Sequence, residues 1–234
     1  MNREIAILMA AGLGSRMKPL TETTAKPLVT IRGVPLIETV LAALKRRGVA
    51  EIYIVTGYKK EQFTSLVDRY PNVHLIENEE YATKNNINSI AVAAEQMASA
   101  DCFVCEADLY LPHAEVLCRE LTCSGYFGKM VKGFSDDWIF ETCADGHIAA
   151  VHKGGMDCYN MVGISYFKQA DAAKVAQAVV ERAKEPEWAQ KFWDDVVDEL
   201  VKRDLHLVVH EVASGEIVEC DTVEDLKQLE AGIE

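Results

Sequence analysis

No stretch of this 234-residue chain approaches the ~20 consecutive apolar residues that a membrane-spanning helix needs. Its N-terminus has neither the apolar h-region nor the small-residue cleavage site of a secretory signal peptide. Positive charge is scarce: 24 Lys and Arg stand against 37 Asp and Glu, for a formal net charge of −13. Nucleic-acid binding leaves a basic footprint and is therefore not expected. A disulfide framework is missing too, because the seven cysteines are odd in number and scattered. This predicts reduced thiols in a cytoplasmic protein. Cys102 and Cys105 form a C-x-x-C, but within the strand-like "DCFVCEADLY". Residues three apart on a strand point to opposite faces and cannot converge on zinc. No internal repeat, low-complexity segment, linker, Ser-His-Asp or Cys-His arrangement is evident, and the six histidines suggest no role.

The composition that remains, 49% hydrophobic and 26% charged, is that of a soluble globule able to bury a sizeable core. Its most informative stretch is "ILMAAGLGSRMKPLTETTAKPLV", Ile7 to Val29. An apolar run too short for a core helix reads as a buried strand. Gly12 and Gly14 then allow a tight turn with backbone N–H groups exposed to a bulky ligand. Arg16 and Lys26 place a cation on either side of that loop. Together these suit a chain of phosphates, and on so acidic a protein such local cations are needed to hold an anion.

Further along, strand-like and helix-like segments alternate. Helices are expected at Pro35–Arg47, Lys59–Tyr70 and Ile87–Ala98, between the strands "EIYIVTG", "VHLIEN" and "CFVCEAD". This order implies a mostly parallel, Rossmann-like mixed sheet with helices on both faces. Around Gly125–Phe167 the pattern shifts to short strands and turns ("CADGH", "HKGG"), an antiparallel region assigned to the acceptor. Two helices near Gln169–Lys184 and Glu187–Lys202, a last strand pair and a helix near Val223–Glu230 complete the chain. The expectation is one α/β domain over residues 1–234.

The glycine loop is not a dinucleotide fingerprint, because the third glycine is absent and Pro19 with "TETTAKP" forces a long irregular loop. The Gly-Lys-Ser/Thr of a Walker loop is missing as well. A plain glycine turn would leave Arg16 and Lys26 unexplained. The span instead resembles the signature A-A-G-x-G-x-R-x-x-P-L-T, followed by lysine, of nucleotidyltransferases that couple a nucleoside triphosphate to a phosphorylated acceptor. "GYKKEQF", "NINSI", "EADLYL", "FWDD" and "VECDTVEDLKQLE" extend the likeness over essentially the whole chain. Their order is similar to that in bacterial CTP:phosphocholine cytidylyltransferases of the choline-incorporation type, to which aminoethylphosphonate cytidylyltransferases are close.

The resemblance implies specific roles, with residues 1–124 as the nucleotide-binding half and 125–234 as the half that binds the acceptor and completes a metal site. The Ala10, Ala11, Gly12 and Gly14 backbone with Arg16 would hold nucleotide and triphosphate, and Lys26 would sit on the phosphates. Tyr81, Asn86, Ser89 and Glu106 would lie on the nucleotide side. Asp108 would bind Mg²⁺ with Asp221 and Glu219. The acceptor pocket would involve Trp138, Phe192, Trp193, Asp194 and Lys129. Some of this stands without the resemblance: Asp108 follows a strand at the carboxyl edge of the sheet, where α/β folds bind ligands. Glu219 and Asp221 are two apart and share a strand face. Asp221 could equally cap the helix of "TVEDLKQL", and Trp193 could be core.

Ionised phosphate needs no general base, so catalysis would be positioning and charge neutralisation in an in-line displacement. The partners implied are CTP and a small phosphorylated or phosphonate amine, phosphocholine first. Two departures from the choline enzymes, Phe192 where tyrosine is usual and the lysines of "GKMVKG", make aminoethylphosphonate or phosphoethanolamine the alternative. A sugar-1-phosphate nucleotidyltransferase and a non-catalytic nucleotide-binding regulator remain the competing classes. Oligomeric state is not legible.

Overall fold

Side chains of the first strand alternate between two interiors. Ala6, Leu8 and Ala10 pack into one buried cluster, Ile5 and Ile7 into another. A strand apolar on both faces belongs at the centre of a sheet covered by helices on both sides. The computed structural model, which describes residues 3–232, has that architecture. The first half contains β1 (Glu4–Ala10), β2 (Thr30–Ile31), β3 (Val34–Pro35), α1 (Leu36–Arg47), β4 (Glu51–Thr56), α2 (Thr64–Arg69) and β5 (Val73–Glu77). It continues with α3 (Ile87–Val92), α4 (Ala94–Met97), β6 (Asp101–Glu106) and β7 (Leu109–Tyr110). The rest comprises β8 (Gly125–Thr142), β9 (Ile148–Phe167), α5 (Gln169–Arg182), α6 (Trp193–Val201), β10 (Val208–Glu211), β11 (Val218–Glu219) and α7 (Val223–Gly232).

The main sheet has the order β10-β8-β9-β6-β1-β4-β5, drawing strands from both halves of the chain. β9 alone runs against its neighbours; the other adjacent pairs are parallel. The chain winds outward from β1 through β4 to β5, then returns to β6 on the other side of β1. That reversal opens a crevice at the carboxyl ends of β1 and β6, the place where open α/β sheets bind ligands. Ala10 leads from it into the glycine loop, and Glu106 leads to Asp108. α1 and α2 cover one face through Val40, Leu44 and Leu66. Residues of α3 to α6, among them Ile90, Val175 and Val197, cover the other.

α1 stops at Gly48 (φ +88°), whose N–H bonds the carbonyls of Leu44 and Lys45, as its sequence position suggested. Cys102 and Cys105 fall in opposite clusters, and all seven cysteines are free.

Several elements differ from expectation. The helix expected over 87–98 is divided at Ala93 into α3 and α4. The one expected from Glu187 begins only at Trp193, because Phe192 is held extended with its N–H donated to Asp195 Oδ2 (2.8 Å). The short strands expected over 125–167 are two long ones, 18 and 20 residues, inside the main sheet. "CADGH" is their turn, with Gly146 at φ +86°, but "HKGG" lies within β9. Irregular pairings between Val131 and Phe134 and between Ser135 and Trp138 bend this ribbon; such bulges re-aim side chains. The last two strands do not pair with each other: β10 joins β8, and β11 joins β7.

Candidate active site

Gly14 sits at φ +61°, a left-handed conformation in which any side chain is strained. A Cβ there would also lie 2.8 Å from Lys26 Cβ. Glycine therefore serves twice, turning the loop and letting Lys26 cross against it. Thr21 Oγ1 donates to the Gly14 carbonyl (2.9 Å), and Gln62 accepts from Ala25 N–H (2.8 Å), fixing the loop's return. A Cβ on Gly12 would meet nothing within 4 Å; the space above it is open cleft.

Lys26 is buried, yet its ammonium is charged and doubly paired. Nζ lies 2.5 Å from Asp108 Oδ2 and 2.5 Å from Asp221 Oδ1, and Arg16 meets Asp221 Oδ2 at 2.9 Å. Burial opposes the charge on Lys26, but the two carboxylates outweigh it and hold its pKa above the ordinary lysine value. Asp221 is brought there by packing. Met17, Val29, Ile31 and Leu36 form a small third core with Cys220 and Leu226. It fastens the segment before α7 beneath the glycine loop. Thr222, not Asp221, caps α7: Thr222 Oγ1 accepts from Asp225 N–H (3.1 Å), while Asp225 accepts from the N–H groups of Thr222 and Asp221. The Asp221 side chain is thereby left to the cleft, and the capping alternative is corrected.

Glu106 and Glu219 line the same cleft. Burial, with the neighbouring carboxylates adding repulsion, pushes both above the usual carboxylate range. Gly163 (φ +74°) makes room for Glu106, since a Cβ there would lie 3.1 Å from its Oε2. Crowded anionic oxygens, paired in part with Lys26 and Arg16, suit a hard divalent cation. Among the described residues no three Asp, Glu, His or Cys side chains form a metal cage.

The cleft, about 510 Å³, runs from this charged cluster past the ends of β4 and β5 to β8 and β9. Ala10, Ala11, Tyr81, Asn86 and Ser89 line it. The Tyr81 ring lies so close to Gly57 that a Cβ there would meet it at 2.7 Å. Ser89 Oγ accepts from buried Asn78, which accepts in turn from Asn88 (2.7 Å). Asn86 Oδ1 accepts from Trp193 N–H (3.0 Å) and Asn85 N–H donates to Ala189 (2.7 Å). These bonds fasten the Asn85–Asn86 segment to the one presenting Phe192. The Trp138 and Phe192 rings meet edge to face, with centroids 5.4 Å apart.

Three residues expected at the acceptor do not line the cleft. Trp193 is core, stacked on Tyr126 and edge to face with Phe167, because the helical turn that presents Phe192 outward turns Trp193 inward. Asp194 is buried behind it, accepting from Tyr126 Oη (3.0 Å). Burial raises its pKa to about 7. Lys129 stays outside, close enough to Glu219 to favour its ionised form.

With this geometry in view, comparison with known proteins is decisive about class. Residues 6–139 match the model of the MobA-like NTP transferase domain. The chain belongs to that family. Over 227 residues it is 45% identical to a 2-aminoethylphosphonate cytidylyltransferase of Lancefieldella rimae, spanning 97% of this chain and 92% of that one. It is 32% identical over 225 residues to a choline-phosphate cytidylyltransferase of Streptococcus pneumoniae, spanning 96% of each. The solved CTP:phosphocholine cytidylyltransferase of Streptococcus pneumoniae superposes with a TM-score of 0.91, covering 99% of this chain and 100% of that one. A glucose-1-phosphate thymidylyltransferase-like structure from Bacillus anthracis, 18% identical with a TM-score of 0.79, shares the fold.

In this nucleotidyltransferase, four cleft residues carry no clear sign in the sequence: Asn78, Lys84, Asn85 and Lys153. The first three sit in polar loops where nothing in composition separates them from solvated neighbours. Lys153 has a faint signal, a cation beside paired glycines in "HKGG". Among the described residues no helix is long and apolar enough to cross a membrane.

Proposed function

We propose that this enzyme transfers CMP from CTP to a small phosphorylated or phosphonate amine, releasing pyrophosphate. The observation that carries the reading is one cleft holding two clusters: Lys26 and Arg16 against Asp108 and Asp221 at one end, the Trp138–Phe192 pair at the other. The first suits a triphosphate and the second an organic ammonium. The relatives add support, since both full-length ones are named for phosphonate or phosphate amines. The higher identity to the 2-aminoethylphosphonate enzyme makes that acceptor our first reading. Phosphocholine is the second, supported by the aromatic pair.

An oxygen of the acceptor's ionised phosphonate or phosphate attacks the α-phosphorus of CTP. The new O–P bond forms as the bond to the bridging α,β-oxygen breaks, and that electron pair leaves with pyrophosphate. No proton has to be removed from the nucleophile, so the residues act by holding the anions in line and offsetting their charge. Lys26 gives up its contacts with Asp108 and Asp221 to face the phosphates. Arg16, mostly exposed, exchanges its pair with Asp221 at small cost. The N–H groups of residues 11–14 add further donors. Asp108 and Asp221, helped by Glu219, would hold Mg²⁺, which when bound neutralises charge between the reacting anions.

The test is a pyrophosphate-release matrix: four nucleoside triphosphates against 2-aminoethylphosphonate, phosphocholine, phosphoethanolamine and glucose 1-phosphate. Release confined to CTP with an amine acceptor is the expected outcome. Release with glucose 1-phosphate alone would assign a sugar-1-phosphate enzyme, and none with any pair would favour a non-catalytic nucleotide-binding role.

A further inference from the structure

Four basic side chains line the cleft, and three of them are committed. Lys26 and Arg16 pair with Asp108 and Asp221, and Lys84 Nζ lies 2.9 Å from Glu80 Oε2. Among the described residues Lys153 has no carboxylate partner. Its Nζ stands 5.7 Å from the centroid of the Trp138 ring. The position is built into the sheet, because Trp138 and Lys153 are direct cross-strand partners in the β8–β9 ribbon. Side chains so paired are held next to one another whatever occupies the cleft.

This placement bears on which ammonium can bind. A quaternary ammonium has no N–H to donate and depends on aromatic faces for attraction. Trp138 and Phe192 are the aromatic pair available, and Phe192 meets Trp138 at 70°, ring edge to face. The Lys153 ammonium already stands over the Trp138 ring. A methylated head would meet that like charge at the ring it needs, with no hydrogen bond in compensation. A primary ammonium is less dependent on the ring. It can donate to a carboxylate, and Asp137 opens into the same cleft.

We propose that Lys153 is a specificity-determining residue: by occupying the face of Trp138 it selects acceptors with an unmethylated amine over methylated ones. The proposal rests on the amine-acceptor reading above and narrows it. It also separates two roles for one cation. If Lys153 instead held the phosphonate or phosphate that all acceptors share, its loss would affect all of them alike.

The experiment uses 2-aminoethylphosphonate and its N,N,N-trimethyl analogue, which differ only in three methyl groups, competing for CTP with the wild type, Lys153→Met and Lys153→Arg. Lys153→Met keeps the aliphatic stem and removes the charge. Lys153 is exposed, so the fold is expected to persist; Lys153→Gln and a thermal melt provide the check. The expected result is that Lys153→Met raises kcat/KM for the trimethyl analogue relative to the parent by about tenfold, the scale of a recovered cation–π contact. KM for CTP stays as in the wild type, and Lys153→Arg keeps the wild-type ratio. An unchanged ratio in Lys153→Met, or an equal fall for both acceptors, overturns the proposal while leaving the amine reading intact. Turnover of neither acceptor by the wild type overturns that reading, and the proposal with it.

Discussion

Asp108 and Asp194 are both carboxylates, and their surroundings separate them. Asp108 lies at the cleft in contact with Lys26, among Glu106, Glu219 and Asp221, where negative charge is in excess. Asp108→Asn is expected to lower kcat about a hundredfold or more, the usual scale for losing one electrostatic element of a transition state. Its melting temperature should change little, because the lost pair with Lys26, which keeps Asp221, is offset by relief of the repulsion on Glu106 and Glu219. A large drop in melting temperature with near-normal kcat would instead make Asp108 structural. The family resemblance of "FWDD" implies that Asp194 serves the acceptor. The fold buries it against Tyr126, with Glu106 and Asp195 as further anionic neighbours. Its pKa is raised from 3.8 to about 7, chiefly by burial. Below the unfolded value both states hold the proton and nothing is lost. Between that value and about 7 the folded state keeps a proton that the unfolded state releases, so stability falls as pH rises, and above about 7 the penalty is complete. Asp194→Asn retains an acceptor for Tyr126 and removes the penalty. It should match the wild type near pH 4 and be more stable at pH 8 by a few kcal/mol, because each tenfold change in proton affinity is worth about 1.4 kcal/mol. Urea unfolding at the two pH values checks this, and a raised acceptor KM with no stability change would return Asp194 to the acceptor site.

At the scale of elements, the segment β11–α7 shows how a helix cap serves a charge cluster. Thr222 Oγ1 accepts from the Asp225 N–H in the first turn of α7, Asp225 in return accepts from the N–H groups of Asp221 and Thr222, and Cys220 and Leu226 seat the segment under the glycine loop. Asp221, between these anchors, is left to Arg16 and Lys26. Thr222→Ala is expected to cost about 1 kcal/mol of stability, typical of a lost cap. Because the residue beside it loses its anchor, KM for CTP should also rise several-fold, which a cap remote from the site would not cause. Thermal denaturation and steady-state kinetics on one preparation decide the matter. Elements were legible to different degrees. The period-two and continuous apolar runs of β1, β4 and β6 and the helix α1 ending at Gly48 could be read locally, because burial on both strand faces and a left-handed glycine leave a signature in adjacent residues. The β8–β9 ribbon could not. Its bulges, glycines and polar positions resemble turns in sequence, and only pairing across the two long strands keeps them extended.

Across the whole molecule, a net charge of −13 opposes the approach of a triphosphate. The two cations nearest the glycine loop do not answer this alone, since Lys26 and Arg16 are already neutralised by Asp108 and Asp221. CTP binding followed by calorimetry should therefore weaken by at least about tenfold when Mg²⁺ is removed with EDTA, the equivalent of about 1.4 kcal/mol. Equal affinity with and without the metal would show that loop N–H groups and the two cations suffice. The sequence by itself determined the class of fold, the glycine loop and its two cations, because strand burial, glycine turns and motif spacing act between residues close in the chain. It also supplied the family resemblance, carried by a long contiguous motif. Tertiary structure alone decided which acidic residues meet. Lys26 and Asp221 are 195 positions apart, and a third hydrophobic cluster, not any local pattern, brings them within 2.5 Å. It likewise decided that Phe192 faces the cleft while Trp193 and Asp194 turn inward, and that Lys153 stands over Trp138. Those outcomes depend on which helix face meets the sheet and on cross-strand register, and neither is written in the neighbouring residues.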